Sequence, residues 1–190
     1  MRHVLKLFIM FILTTAGSAY AIELETDKEY YVRTALHAVR GDEIYWTNFT
    51  DTAKSILIKA GEKVKITSIS GHLIKFDLNG KTYNFAFTEK GSTGDKEIYG
   101  KFFTTEDINK KTEKYPEDIQ SKIRRGIADK GMSKEQVLLA VGCPAVIDKQ
   151  KTFTLILKDI MSSDKWIYYF NRFNRWQAVF KDDKLVEILN

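Results

Sequence analysis

The chain is poor in cysteine and proline, with one Cys and two Pro in 190 residues. A single Cys excludes an intramolecular disulfide framework and a multi-cysteine metal site. Three His leave little material for a metal centre, and none has a Cys, Asp or Glu at ligand spacing. There is no G-x-S-x-G elbow and no glycine-rich phosphate loop. No apolar run reaches the roughly 20 residues needed to cross a bilayer. What is present is 44% hydrophobic and 29% charged residues, an ordinary globular composition that excludes collagen, mucin and a multi-pass membrane protein.

Residues 1–21 have the layout of a secretory signal peptide. Arg2, His3 and Lys6 form a basic start, an apolar run covers Leu7 to Leu13, and Ala19-Tyr20-Ala21 supplies small residues at −3 and −1. Cleavage after Ala21 leaves 169 residues and lowers the net charge from +5 to +3, because Arg2 and Lys6 depart. A charge that small does not make the clustered basic face that nucleic-acid binding requires. The only Cys, Cys143, lies far from the cleavage point, so no lipid anchor is expected, and no transmembrane segment remains after cleavage. The expected location is outside the cytoplasm.

Residues 22–103 read as a β domain. Tyr, Val and Thr crowd residues 28–38, residues 43–48 form an aromatic strand, and residues 63–70 alternate. Asn79-Gly80 is the preferred loop of a two-residue hairpin. It sets Leu78 against Lys81, Phe76 against Tyr83 and Ile74 against Phe85. The broken alternation at Ser68 to Ser70 predicts a bulge. A small SH3-like barrel is the expected closure. Residues 89–100 read as loop, and residues 104–115 as a charged linker.

Residues 116–190 open with a helical hairpin. Pro116, Glu117 and Asp118 start the first helix, Ile119, Ile123 and Ile127 form its apolar face, and Lys130-Gly131 ends it. Ser133 and Gln136 make a capping box for the second, which stops at Gly142 and Pro144. Period-two segments follow at residues 152–157, 165–171, 175–181 and 184–189. The last hairpin fits a two-residue loop, pairing Phe180 with Leu185, or a three-residue loop, pairing it with Val186. The second hides more apolar surface. The expected fold class is α+β, an SH3-like barrel followed by a two-helix hairpin on a three- to four-stranded antiparallel sheet.

Gly131, Met132, Ser133, Gln136 and Val137, followed by Gly142-Cys143-Pro144, resemble the G-M-[ST]-x-x-[EQ]-V…G-x-P hairpin of the SmpA/OmlA (BamE-like) envelope family. Trp166-Ile167-Tyr168, Asn171-Arg172-Phe173 and the closing Ala178 to Ile188 segment fit the same pattern, so the resemblance spans residues 105–190. It implies an ααβββ domain, a Gram-negative envelope location in the periplasm, at or near the outer membrane, and a role in binding envelope proteins. The family's best-known member is an accessory lipoprotein of outer-membrane β-barrel assembly. This chain lacks the family's anchor Cys and carries a longer insertion at residues 145–164.

Seven of the 24 aromatic residues fall within residues 165–180. Trp166, Tyr168 and Phe170 share one strand face, and Arg172, Phe173, Arg175 and Trp176 follow around a turn. Trp, Tyr and Arg are enriched at interface hot spots, so these seven are the candidate partner-binding residues. Gly131, Met132, Ser133, Gly142 and Pro144 are read as structural. Cys143 follows a helix C-terminus, where the dipole opposes a thiolate, and reads as a packing residue. Asn48-Phe49-Thr50 matches a glycosylation sequon by chance. The expected function is a non-enzymatic, cofactor-free interaction module. The alternatives are a cell-wall or peptide-binding module using Tyr45-Trp46, and an inhibitor of a secreted enzyme.

Overall fold

The computed structural model describes residues 20–51, 53–92 and 94–190. The predicted signal peptide lies outside them except for Tyr20 and Ala21.

Strands β1 (Glu29–Val32), β2 (Leu36–Val39), β3 (Glu43–Tyr45), β4 (Ser55–Ile58), β5 (Lys63–Ser70), β6 (Leu73–Leu78), β7 (Lys81–Ala86) and β8 (Phe103–Thr104) form one sheet. Its order is β4-β2-β3-β7-β6-β5-β1-β8, antiparallel except for the β3–β7 pair. Three residues join β1 to β2, yet five strand spacings separate them in the order. Laid flat, that gap is about 24 Å. The link from Val32 to Leu36 reaches about 14 Å at most. The sheet therefore curls strongly around Val32, Ile44, Ile66, Ile74, Phe76, Phe85 and Phe103, all wholly buried.

The Asn79-Gly80 hairpin has the predicted register, with Leu78 opposite Lys81, Phe76 opposite Tyr83 and Ile74 opposite Phe85. Both loop residues have positive φ, 52° and 79°, which an Asn-Gly pair adopts at little cost. The bulge falls between Ile66 and Ser68.

The remainder carries α1 (Lys96–Tyr99), α2 (Asn109–Thr112), α3 (Glu117–Arg125), α4 (Lys134–Val141), α5 (Leu157–Ser162) and strands β9 (Val146–Ile147), β10 (Gln150–Lys151), β11 (Lys165–Tyr169), β12 (Arg175–Lys181) and β13 (Lys184–Leu189). These strands form a five-stranded antiparallel sheet, β10-β9-β11-β12-β13. Among the described residues no helix is long and apolar enough to cross a membrane.

The expected fold class is thereby corrected. The molecule is mostly sheet, an eight-stranded curled mixed sheet and a five-stranded antiparallel one with short helices. It is neither a small SH3-like barrel nor a helical hairpin laid on a three- to four-stranded sheet. Local corrections have local causes. Asp95 caps α1 within the expected loop, its carboxylate accepting Glu97 N and Ile98 N. α3 stops at Gly126, with φ 70°, before Lys130-Gly131 is reached. Residues 152–157 are not a strand: a 3₁₀ turn at Thr152–Thr154 leads into α5. Asp182 and Asp183 both have positive φ and make a two-residue loop, so Phe180 pairs with Leu185. A bulge after Val179 then restores the Ala178–Ile188 pair.

One hydrophobic cluster runs from Leu36 and Ile58 through Val137 and Leu138 to Trp166 and Tyr168. α4 lies within it, with every residue from Val137 to Val141 buried. Ser133 Oγ accepts Gln136 N at 3.2 Å and Gln136 Oε1 accepts Ser133 N at 2.8 Å, closing the predicted capping box. Ala35 N donates to Leu138 O, 3.2 Å, joining α4 to the first sheet. Tyr168 OH donates to Gly142 O, 3.0 Å, joining its end to the second.

Gly142 sits where the halves touch. A Cβ there would lie 2.0 Å from Ala35 O and 2.2 Å from Asn48 Nδ2, and its φ is +84°. Gly142→Ala should therefore lower the unfolding free energy by about 3 kcal/mol or more, through clash and backbone strain together. Urea denaturation followed by far-UV circular dichroism measures this; a loss under about 1 kcal/mol would mean the contact is not tight.

Candidate functional site

Two turns, one from each sheet, face each other across an open groove of about 560 Å³. The first follows β3. Trp46 and Thr47 lead to Asn48, whose φ of 46° redirects the chain. Asn48 is buried and spends its amide fully. Oδ1 accepts His37 N at 2.9 Å and faces His37 Nδ1 at 3.2 Å; Nδ2 donates to Ala35 O at 3.2 Å and Val141 O at 3.0 Å. With Nδ2 so engaged, the sequon is inaccessible to glycosylation in the folded chain. Thr50 N then donates to Tyr169 O, 2.9 Å, so Phe49 and Asp51 run beside the second sheet.

The second turn follows β11. Asn171 Oδ1 accepts Phe173 N at 2.9 Å and Asn174 N at 3.1 Å, while Phe170 N donates to Asn174 O at 2.9 Å. This turn holds Phe173 outward with 91% of its surface exposed.

Val39, Arg40, Tyr45, Trp46, Phe49 and Lys54 form one wall of the groove, and Phe170, Asn171 and Arg172 the other. Tyr45 and Phe49 meet edge to face with centroids 6.2 Å apart. Trp46 packs against Phe153 at 5.0 Å, with Lys151 Nζ 5.8 Å above its ring. Tyr45 OH donates to Glu43 at 2.7 Å, and that bond raises its pKa against the opposing pull of Arg40 and Arg172. Thr47 Oγ1 is shielded from solvent and has no hydrogen-bond partner among the described residues.

The predicted binding residues divide. Phe170 and Arg172 line the groove and Phe173 projects from the adjoining turn. Arg175 is exposed beside a separate hollow with Ile167 and Leu189. Trp166 and Tyr168 are wholly buried and Trp176 nearly so, which corrects their assignment to a contact surface. Trp166 Nε1 donates to Ile160 O and Ser163 O, both at 3.0 Å. Tyr168 stacks on Trp176 at 4.3 Å, and Trp176 Nε1 donates to Thr50 Oγ1 at 3.0 Å. Each large ring has its polar atom satisfied, as a core aromatic must. The opposite wall joins Tyr45 and Trp46, the residues expected to line a cell-wall or peptide groove, with Arg40, Phe49 and Lys54, which no sequence motif marks. Its aromatic density was visible in the sequence, but its place beside Arg172 follows from the turn at Asn48.

The residues of the family-like motif are structural in position. Gly131 turns with φ 88°, Met132 is fully buried, and Pro144 O accepts Thr152 Oγ1 at 2.5 Å.

The buried titratable groups lie apart from the groove lining. Burial pushes the Cys143 thiol up, so it stays protonated beside Thr34 Oγ1 at 3.6 Å. Lys101, 1% exposed, donates to Thr152 O at 2.6 Å, and burial brings its pKa down to about 8. His37 is also 1% exposed, and burial pushes it down to about 4 against the bond to Asn48. Among the described residues no three His, Cys, Asp or Glu side chains are placed to hold a metal ion.

The His37 shift makes stability pH-dependent. Its folded pKa lies below the ordinary 6.5, so protons bind the unfolded chain first. Its contribution is full above pH 6.5 and falls as the pH drops towards 4, by roughly 3 kcal/mol. Urea midpoints across that range should decline less for His37→Gln than for wild type; parallel curves would assign the decline to other groups. Thr47→Val replaces an unpaired hydroxyl by a methyl group of similar size. It should raise unfolding free energy by about 1 kcal/mol, and a loss in the same assay would reveal a partner for Oγ1.

In comparisons with known proteins, the chain matches no family model, no curated protein and no solved structure.

Proposed function

We propose that this chain is an exported, non-enzymatic binding module of a cell envelope, which engages a partner protein through the groove and the adjoining Phe173 turn. The observation that carries the reading is the placement of Phe173. Phe173, 91% exposed on a turn fixed by Asn171, stands with Phe170, 36% exposed, so the turn presents an apolar patch and not one scattered side chain. Beside it stand Arg172 and Phe170, with Tyr45 and Trp46 across the groove, the residue types that dominate interface energetics. Export rests on the layout of residues 1–21. The envelope assignment rests on the local likeness of the Gly131 to Pro144 segment to the SmpA/OmlA motif.

A second reading, a cell-wall module, is favoured by Tyr45 and Trp46 lining the same groove. In-cell cross-linking of the tagged full chain, followed by mass spectrometry, separates the two. The Arg172→Ala, Phe173→Ala double variant should capture its protein partner about tenfold less well than wild type. Both side chains are exposed, so its melting temperature should stay within about 2 °C of wild type. Undiminished capture would overturn the protein-binding reading, and recovery of wall fragments alone would support the second.

A further inference from the structure

The charge and shape of the groove narrow what it can hold. Arg40, Lys54 and Arg172 line it against a single lining carboxylate, Asp51. Asp51 Oδ1 is occupied, accepting Ala53 N at 3.2 Å. Arg40 is partly answered by Glu43 at 3.4 Å. Lys54 and Arg172 have no ion pair among the described residues, so their charges are free for a ligand. The same lining carries the aromatic rings of Tyr45, Phe49 and Phe170.

The surface also continues beyond the groove. Phe170 lines a second, mostly apolar hollow of about 240 Å³, shared with Ala128, Trp176 and Ile188. Phe170 and Trp176 rings lie 6.3 Å apart, so the wall of one depression is continuous with that of the next. Such a trough suits an extended chain better than a compact small molecule.

We propose that the groove binds an extended acidic peptide segment with an aromatic side chain, the ring held among Tyr45, Phe49 and Phe170 and the carboxylates by Lys54 and Arg172. This inference rests on the protein-binding reading and adds the chemistry of the partner. A basic segment would meet like charge from Lys54 and Arg172. A neutral glycan would leave both cations unanswered. Arg172 offers a planar, forked set of donors that matches a carboxylate.

The test uses the full chain and three capped peptides, read by intrinsic tryptophan fluorescence and calorimetry. The first peptide combines glutamates with phenylalanines. The second replaces glutamate by lysine, and the third replaces phenylalanine by alanine. The first should bind at least about tenfold more tightly than either of the others, and its affinity should fall as salt rises. Lys54→Glu with Arg172→Glu should invert the preference between the glutamate and lysine peptides. These side chains are solvent-facing, so folding should be retained, as an unchanged melting temperature would verify. Equal binding of acidic and basic peptides, a preference that survives the charge reversal, or tighter binding of wall glycan fragments would each overturn the proposal. If the peptides fail while the Arg172, Phe173 variant still loses its cross-linked partner, the ligand chemistry is wrong and the protein-binding reading stands. If capture also survives, both fall.

Discussion

The structure turns on the carboxamide of Asn48. It stands where the curled sheet, the end of α4 and the second sheet converge, and it bonds to His37, Ala35 and Val141. The site needs a residue that tolerates positive φ and carries both a donor and an acceptor out of water. Asn meets both requirements with a short side chain. Gly142 meets it from the other side with no side chain at all, because Ala35 O and Asn48 Nδ2 fill the space of a Cβ. The groove is a product of this junction. Unless the chain turns at Asn48, Phe49 and Asp51 do not run beside Tyr169, and Arg172 has no opposite wall.

Local chemistry was legible in the sequence where it is self-contained. Asn79-Gly80 specifies its turn and thereby its register, and Ser133 with Gln136 specifies a helix start. Long-range order was not legible. No residue near β3 signals a parallel partner in β7, and the curl depends on a strand order that no local pattern reports. Residues 152–157 gave a false period-two reading because a three-residue 3₁₀ turn and the entry to α5 are too short to establish a period of their own. At the site, Phe170 and Phe173 stand out by aromatic density and Arg172 by its place beside the turn. The same density also drew in Trp166, Tyr168 and Trp176, since a core strand and a contact surface use the same residue types. Composition does not separate them; hydrogen bonding does, because the indole and phenol groups of these three end on partners inside the protein.

Polar groups line much of the seam between the sheets. Thr34 Oγ1 donates to Lys101 O at 3.0 Å, Lys101 reaches Thr152 O, and Trp176 reaches Thr50. Each bond crosses between segments distant in the sequence. A purely apolar seam permits sliding with little penalty, whereas a seam of directional bonds leaves donors unpaired when displaced. Buried polarity here fixes the relative placement of the two sheets, and with it the width of the groove.

The three-residue link between β1 and β2 also governs the order of assembly. Because β1 pairs with β5 and β8 while β2 pairs with β3 and β4, the two ends of that link are completed by widely separated parts of the chain. Tyr31 meets Thr104, and Ala35 meets Leu138. The hairpins β5–β6 and β6–β7 can close early, but the ends of the link reach their partners only when β8 and α4 are in place. A topology this non-local puts the chain among slow folders, with loop-closure entropy spent before the native contacts compensate for it.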